Sequence, residues 1–279
     1  MNAPRPGRVQ EQDSVVTGPG GPVPVRDYRP PAGSGRPFLW VHGGGFVSGG
    51  IDQAESYAPA RELAARGRWV RTVDYRLAPR YPLWRAPDLS PRPGRFPAGL
   101  DDVSAVAISL SALAGGPIDL GGASAGANLA AAAALRLRDG GHSVVARLAL
   151  AYGTFHHELP EASPVFLQLR GPLAKWAFNP TMTRSMNLNY VGDDALLGPG
   201  YAFPGGSDLR GLPPTLIMDA SNDRLRASGA LFAQELRESR VQVRQLTVKA
   251  LHGFLSIPRT RSFRQGVDEL HSWLERGRR

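Results

Sequence analysis

The feature that most constrains this chain is an alternation of short apolar runs with longer stretches of helical periodicity. PFLWVH at 37–42 is apolar without interruption, as a strand covered on both faces must be, and it stops at three glycines, Gly43, Gly44 and Gly45. A helix over Gln53–Arg66 follows, then a strand at WVRTVDY (69–75), a helix near Leu100–Leu113, a short strand at PIDLGG (117–122) and an Ala-rich helix over Ala125–Arg138. The rhythm resumes with a strand at VVARLALAY (144–152), a long irregular stretch from about Gly153 to Leu212 and a strand at PTLIMD (214–219). A helix over Ala227–Ser239, a strand at VQVRQLTV (241–248) and a C-terminal helix complete it. Ahead of all this, SVVTGPGGPVPVRDY (14–28) reads as an antiparallel edge hairpin, and RPPAGSGRP as a linker. The expected fold class is α/β, with a mostly parallel central sheet and helices on both faces. In such sheets ligands bind beyond the carboxyl ends of the strands, so the residues just after each strand form the search list for chemistry.

Composition narrows the classes. With 279 residues, 42% of them hydrophobic and 20% charged, the chain is read as one domain spanning 1–279. No apolar run reaches the roughly 18–20 residues needed to span a bilayer, and MNAPRPGRVQEQDS lacks a signal peptide's apolar stretch, so a cytoplasmic location and no membrane partner are expected. The absence of cysteine excludes disulfides, thiol catalysis and cysteine-ligated zinc. The net charge of +9 invites a nucleic-acid partner, but the basic residues are nearly all Arg and are spread along the chain without a dense run or an interleaved aromatic motif. A solvated Arg-rich surface is the better expectation, with no nucleic acid bound.

Gly122-Ala123-Ser124-Ala125-Gly126 matches G-x-S-x-G between the strand PIDLGG and the Ala-rich helix, the context that gives so short a pattern meaning. Glycines permit the tight turn, and Ser124 is forced out on a strained backbone as a nucleophile. The following helix aims its N-terminal N–H groups at the place where an oxyanion would form, which makes the Ala125 N–H a natural donor. His42-Gly43-Gly44-Gly45-Phe46 supplies the second half: consecutive glycines let Gly44 and Gly45 present backbone N–H groups to a substrate carbonyl. His42 precedes both serine and acid and is expected to brace that loop by hydrogen bonding rather than to act as base.

In this chain order the acid follows the strand PTLIMD and the base follows the next strand. Asp219 ends the former, whereas Asp223 sits in the loop beyond it, from which it reaches an imidazole; an N-cap of the next helix is its competing role. Only His252 and His271 come after the acid. His252 lies directly behind VQVRQLTV while His271 falls within the terminal helix, so His252 is the expected base, with Asp223 fixing its tautomer and neither cofactor nor metal required. His156, His157 and Glu158 show no ligand spacing for a metal and read as loop or cap residues.

Six blocks together resemble the hormone-sensitive-lipase-like esterases of the α/β-hydrolase fold: HGGGF at 42–46, DYRLAP at 74–79, FPAGLDD at 96–102, GASAGANLA at 122–130, NDRLR at 222–226 and LHGF at 251–254. The resemblance runs from about residue 35 to the C-terminus. It implies an α/β-hydrolase with a reduced cap or lid, a nucleophile at Ser124, oxyanion donors at Gly44, Gly45 and Ala125, an acid at Asp223 and a base at His252. Three departures stand out. Ala123 replaces the usual acidic residue and Ala127 the usual glycine. A Pro/Arg-rich insert occupies 80–95 and is expected near the active-site mouth. The N-terminal arm is short, which leaves 154–208 as the main lid segment, and substrate choice is expected in these two segments.

The expected function is hydrolysis of small, short-acyl carboxylic esters through a Ser-Asp-His triad and an acyl-enzyme. An amidase, thioesterase or acyltransferase uses the same residues, and a non-catalytic small-molecule-binding relative is the alternative from another class, although every triad position here is filled. Arg80, Arg85, Arg92 and Arg95 in the insert offer forks to an anionic substrate group, against the blander expectation of solvated arginines. A homodimer through an edge strand or the terminal helix is compatible with this sequence.

Overall fold

The computed structural model describes residues 8–33, 35–82, 86–160 and 163–276. Its strands are β1 (Gln10–Gly18), β2 (Gly21–Arg29), β3 (Phe38–Val41), β4 (Val70–Val73), β5 (Ile118–Ala123), β6 (Val145–Ala151), β7 (Thr215–Asn222) and β8 (Val243–Leu251). The helices are α1 (Ala54–Ala65), α2 (Ala98–Ala114), α3 (Ala125–Asp139), α4 (Val165–Gln168), α5 (Pro172–Trp176), α6 (Pro180–Val191), α7 (Arg226–Glu238) and α8 (Arg261–Glu275). All eight strands form one sheet in the order β1-β2-β4-β3-β5-β6-β7-β8. The β1–β2 hairpin adds antiparallel to β4, and every other pairing is parallel, so the carboxyl ends of β3, β5, β7 and β8 open on one edge.

The continuous apolar strands follow from two-sided burial. Leu39 and Val41 of β3 enter a core with α2, α3 and α7, while Phe38 and Trp40 enter a second core with α1 and α8. Successive side chains point to opposite faces, so a strand covered on both has no polar position to spare. The apolar stripe Phe263, Val267, Leu270 and Leu274 seats α8, and Thr260 caps it by accepting from the Phe263 N–H at 3.2 Å.

The structure differs from expectation in two places. The stretch 153–212 is not irregular: it holds α4, α5 and α6, of which α6 is a full 12-residue helix. Asp219 does not end its strand either, because β7 runs on to Asn222 through a register shift between Ala220 and Asn222, and Asp223 is the first residue beyond it.

Candidate active site

Ser124 sits where β5 turns into α3, with φ 53° and ψ −120°, a conformation strained for any residue with a Cβ. The flanking glycines are required by close approach: a Cβ on Gly126 would lie 2.2 Å from the Val41 carbonyl oxygen, and one on Gly122 would lie 2.4 Å from the Gly126 oxygen. Two of the departures noted above fit without strain elsewhere. Ala123 is buried in the α1/α8 core, and the Ala127 methyl is received by Gly153, where a Cβ would come within 2.9 Å of it.

The loops after β7 and β8 converge on this serine. His252 Nε2 lies 3.0 Å from Ser124 Oγ, and His252 Nδ1 lies 2.7 Å from Asp223 Oδ2. Asp223 is buried, and its other oxygen accepts from the Leu225 N–H at 3.0 Å, so imidazole partner and helix-start acceptor coincide in one carboxylate. Burial alone would lower the pKa of His252, but the charge and hydrogen bond of Asp223, with the charge of Glu55, outweigh it and raise it above the ordinary 6.5. The ring is held between Tyr152 and Phe178, at centroid distances of 5.0 and 4.6 Å.

On the opposite side of Ser124 runs the glycine loop after β3. Gly44, at φ 123°, has no room for a Cβ, which would meet the Ser48 carbonyl oxygen at 1.8 Å. Among the described residues the N–H groups of Gly44, Gly45 and Ala125 donate to no protein acceptor, whereas the Gly43 N–H donates to Glu55 Oε2 at 2.8 Å. His42 lies beneath the loop: its Nδ1 donates to the Gly43 carbonyl at 2.7 Å and its ring stacks on Tyr75 at 4.4 Å. Burial drives its pKa down to about 4, only partly opposed by that hydrogen bond, so the ring is neutral and sits too deep to serve as base.

Ser124, His252, Gly44 and Gly45 line a cavity of about 550 Å³. Its apolar walls come largely from residues that sequence reasoning did not single out: Phe178 from the turn before α6, Met182 and Met186 from α6 itself, and Val47 from the loop after β3. Glu55 and Tyr152 were likewise missed. The signals for α6 were present, since Asn179 caps it by accepting from the Met182 N–H at 3.0 Å, Pro180 opens it and Gly192 ends it at φ 76°. Of the four insert arginines, Arg80 lines the cavity, Arg92 pairs with Asp88 at 2.7 Å in solvent, Arg95 is buried against Gly192, and Arg85 lies outside the described residues.

The histidine pair at 156–157 serves packing. His156 Nδ1 bonds Ser228 Oγ at 2.8 Å and its Nε2 lies 3.2 Å from Glu235, and no group of three His, Asp or Glu side chains able to hold a metal ion occurs among the described residues. No helix among them is long and apolar enough to cross a membrane.

A family model described as the α/β hydrolase fold matches residues 38–256. The carboxylesterase NlhH of Mycobacterium tuberculosis is 32% identical over 252 residues, covering 84% of this chain and 72% of that protein. Esterase LipI of the same organism is 30% identical over 257 residues, covering 87% and 74%. Among solved structures, an esterase of Pyrobaculum calidifontis superposes with a TM-score of 0.80 at 30% identity, over 95% of this chain and 84% of that one.

Proposed function

The chain belongs to the α/β-hydrolase fold family and to its hormone-sensitive-lipase-like esterases, and from that premise we propose that this carboxylesterase cleaves small, short-acyl esters through Ser124, His252 and Asp223. The observation that carries the reading is the continuous hydrogen-bonded chain from Ser124 Oγ through His252 to Asp223, beside three backbone N–H groups that have no acceptor among the described residues.

With Nδ1–H donated to Asp223, the His252 Nε2 lone pair takes the Ser124 proton as Oγ attacks the ester carbonyl carbon. The carbonyl oxygen becomes an oxyanion and accepts from the Gly44, Gly45 and Ala125 N–H groups, each such donor being worth about 10²–10³ in rate. Collapse breaks the bond to the alcohol oxygen, which takes the proton back from His252. A water deprotonated by the same imidazole then attacks the acyl-enzyme, releasing the carboxylic acid and restoring Ser124. Small apolar acyl groups suit a cavity of about 550 Å³ to which Phe178, Met182 and Met186 give apolar walls.

The test is a burst assay with p-nitrophenyl acetate, butyrate and octanoate on wild type and Ser124→Ala, with fluorophosphonate labelling alongside. A burst on acetate and butyrate, weaker on octanoate, and neither turnover nor label in the variant is expected. Equal rates in both proteins sink the proposal. Label without turnover of any of the three esters transfers the site to an amide, a thioester or acyl transfer.

A further inference from the structure

Glu55 is a buried carboxylate at the start of α1, about 8% exposed, and it lines the same cavity as Ser124 and His252. Three other buried carboxylates are held by arginine: Asp27 by Arg71 at 2.6 Å, Asp102 by Arg76 at 2.8 Å and Asp119 by Arg68 at 3.3 Å. Among the described residues Glu55 has no cationic partner. Burying a carboxylate without one is costly unless its oxygens are satisfied by donors, and here they are satisfied by two groups of the site itself. Oε2 accepts from the Gly43 N–H at 2.8 Å, and Oε1 accepts from the Tyr152 hydroxyl at 2.7 Å.

Both partners lead to the chemistry. Gly43 opens the loop whose next two N–H groups are uncommitted, and its missing side chain is what admits the carboxylate, since a Cβ there would lie 2.4 Å from Oε2. Tyr152 packs edge-on against the His252 ring. Glu55 is itself anchored, because Trp40 Nε1 of β3 donates to its backbone carbonyl at 2.9 Å. We propose that Glu55 is a positioning residue for acyl transfer, holding Gly43 so that Gly44 and Gly45 face the oxyanion and holding Tyr152 so that its ring supports His252. The proposal rests on the Ser124 reading. Its charge has a second effect, for with Asp223 it is one of two carboxylates acting on His252; Ser124 and the Tyr152 hydroxyl beside that ring are neutral, and the charged Arg80 lines the same cavity.

Three variants separate geometry from charge. Glu55→Ala removes both bonds; Glu55→Gln keeps an oxygen for the Gly43 N–H and an amide for the Tyr152 oxygen but removes the charge; Tyr152→Phe breaks one arm only. The readouts are the fluorophosphonate labelling rate against pH and the kcat and KM for p-nitrophenyl butyrate, with Ser124→Ala in parallel. Expected are a 10- to 100-fold loss in labelling and kcat for Glu55→Ala with KM within about threefold. Tyr152→Phe should show a smaller loss. Glu55→Gln should recover most of the rate, with the acid limb of its pH profile displaced to lower pH because a charge favouring imidazolium has gone. Labelling of Glu55→Ala at the wild-type rate, or a loss confined to KM, overturns the proposal. Should the alanine variant not fold, a wild-type acid limb in Glu55→Gln overturns it instead. If Ser124→Ala labels as wild type does, it is the Ser124 reading that has failed.

Discussion

At the scale of single residues the site is governed by how burial and charge are balanced on His252. Its pKa is raised although burial opposes protonation, so the free enzyme should carry a neutral base only above the ordinary imidazole range. The acid limb of kcat/KM is therefore expected above pH 6.5. Asp223→Asn removes the charge and, with the amide oxygen kept by the Leu225 N–H, turns an NH2 donor toward Nδ1, leaving burial opposed only by Glu55, so the limb should move to lower pH while kcat falls by about 10³–10⁴ through loss of the productive tautomer. A pH–rate profile of the variant checks both; a limb that stays in place would remove Asp223 from the role proposed for it. His42 shows the reverse balance: without a carboxylate beside it, burial takes its pKa to about 4, which is why two histidines near one serine differ so sharply in what they can do.

At the scale of elements, the cavity is built where the strand ends meet the segment carrying α5 and α6. The insert at 80–95 is tied to the same segment, since Asn189 of α6 donates to the Pro79 carbonyl at 2.9 Å and the Phe96 N–H donates to the Tyr190 carbonyl at 2.9 Å. Arg80, just past the first tie, faces the cavity without an ion-pair partner among the described residues, while Arg92 is already neutralised by Asp88. Arg80→Gln should lower kcat/KM for an ester carrying a carboxylate by about tenfold relative to its neutral isostere, and Arg92→Gln should leave that ratio unchanged. Equal ratios in wild type and Arg80→Gln would restore the reading of a solvated arginine. The βα framework was legible in the sequence because two-sided burial makes β3 continuously apolar and gives β7 the apolar run Leu216–Met218, and the residues after those strands are therefore easy to find. The cavity wall was not. Phe178, Met182 and Met186 lie in the stretch FNPTMTRSMNLNY (178–190), whose helix shows little amphipathic contrast, so only its Asn-Pro start and Gly192 stop marked it. Glu55 was hidden for another reason: a Glu in the first turn of a helix looks like an ordinary dipole partner until tertiary structure turns it inward against Gly43.

At the scale of the whole molecule, much of the positive charge is spent on tying elements together. Arg68 is buried and donates to the Arg36 and Leu274 carbonyls at 2.6 Å each, joining β4's approach to the end of α8, and Arg136 joins α3 to Asp101 of α2 at 2.7 Å. Among the described residues a buried carboxyl on β7 lacks such a tie. Asp219, fully enclosed between β7 and α7, has no well-formed hydrogen bond among the described residues on either oxygen, and its carboxyl lies where a Cβ on Gly229 would come within 2.3 Å. Burial, reinforced by the charge of Asp223 and only partly offset by Gln245 and Arg226, pushes its pKa up from 3.8 to about 8. The folded state thus keeps this group protonated while the unfolded chain ionises it. The stability that comes from the higher folded pKa is fully present below pH 3.8 and is lost as pH rises toward 8, by several kcal/mol at about 1.4 kcal/mol per unit. Asp219→Asn is nearly isosteric with the protonated acid and does not titrate, so its melting temperature should equal that of wild type near pH 4 and exceed it by a widening margin up to pH 8, reaching at least about 4 °C. Comparing the two proteins at each pH cancels the opposite trend from His42, whose depressed pKa weakens the fold as pH falls below 6.5. Melting curves that stay parallel from pH 4 to 8 would mean that Asp219 is ionised in the fold, and that a buried carboxylate pair, Asp219 with Asp223, stands behind the imidazole.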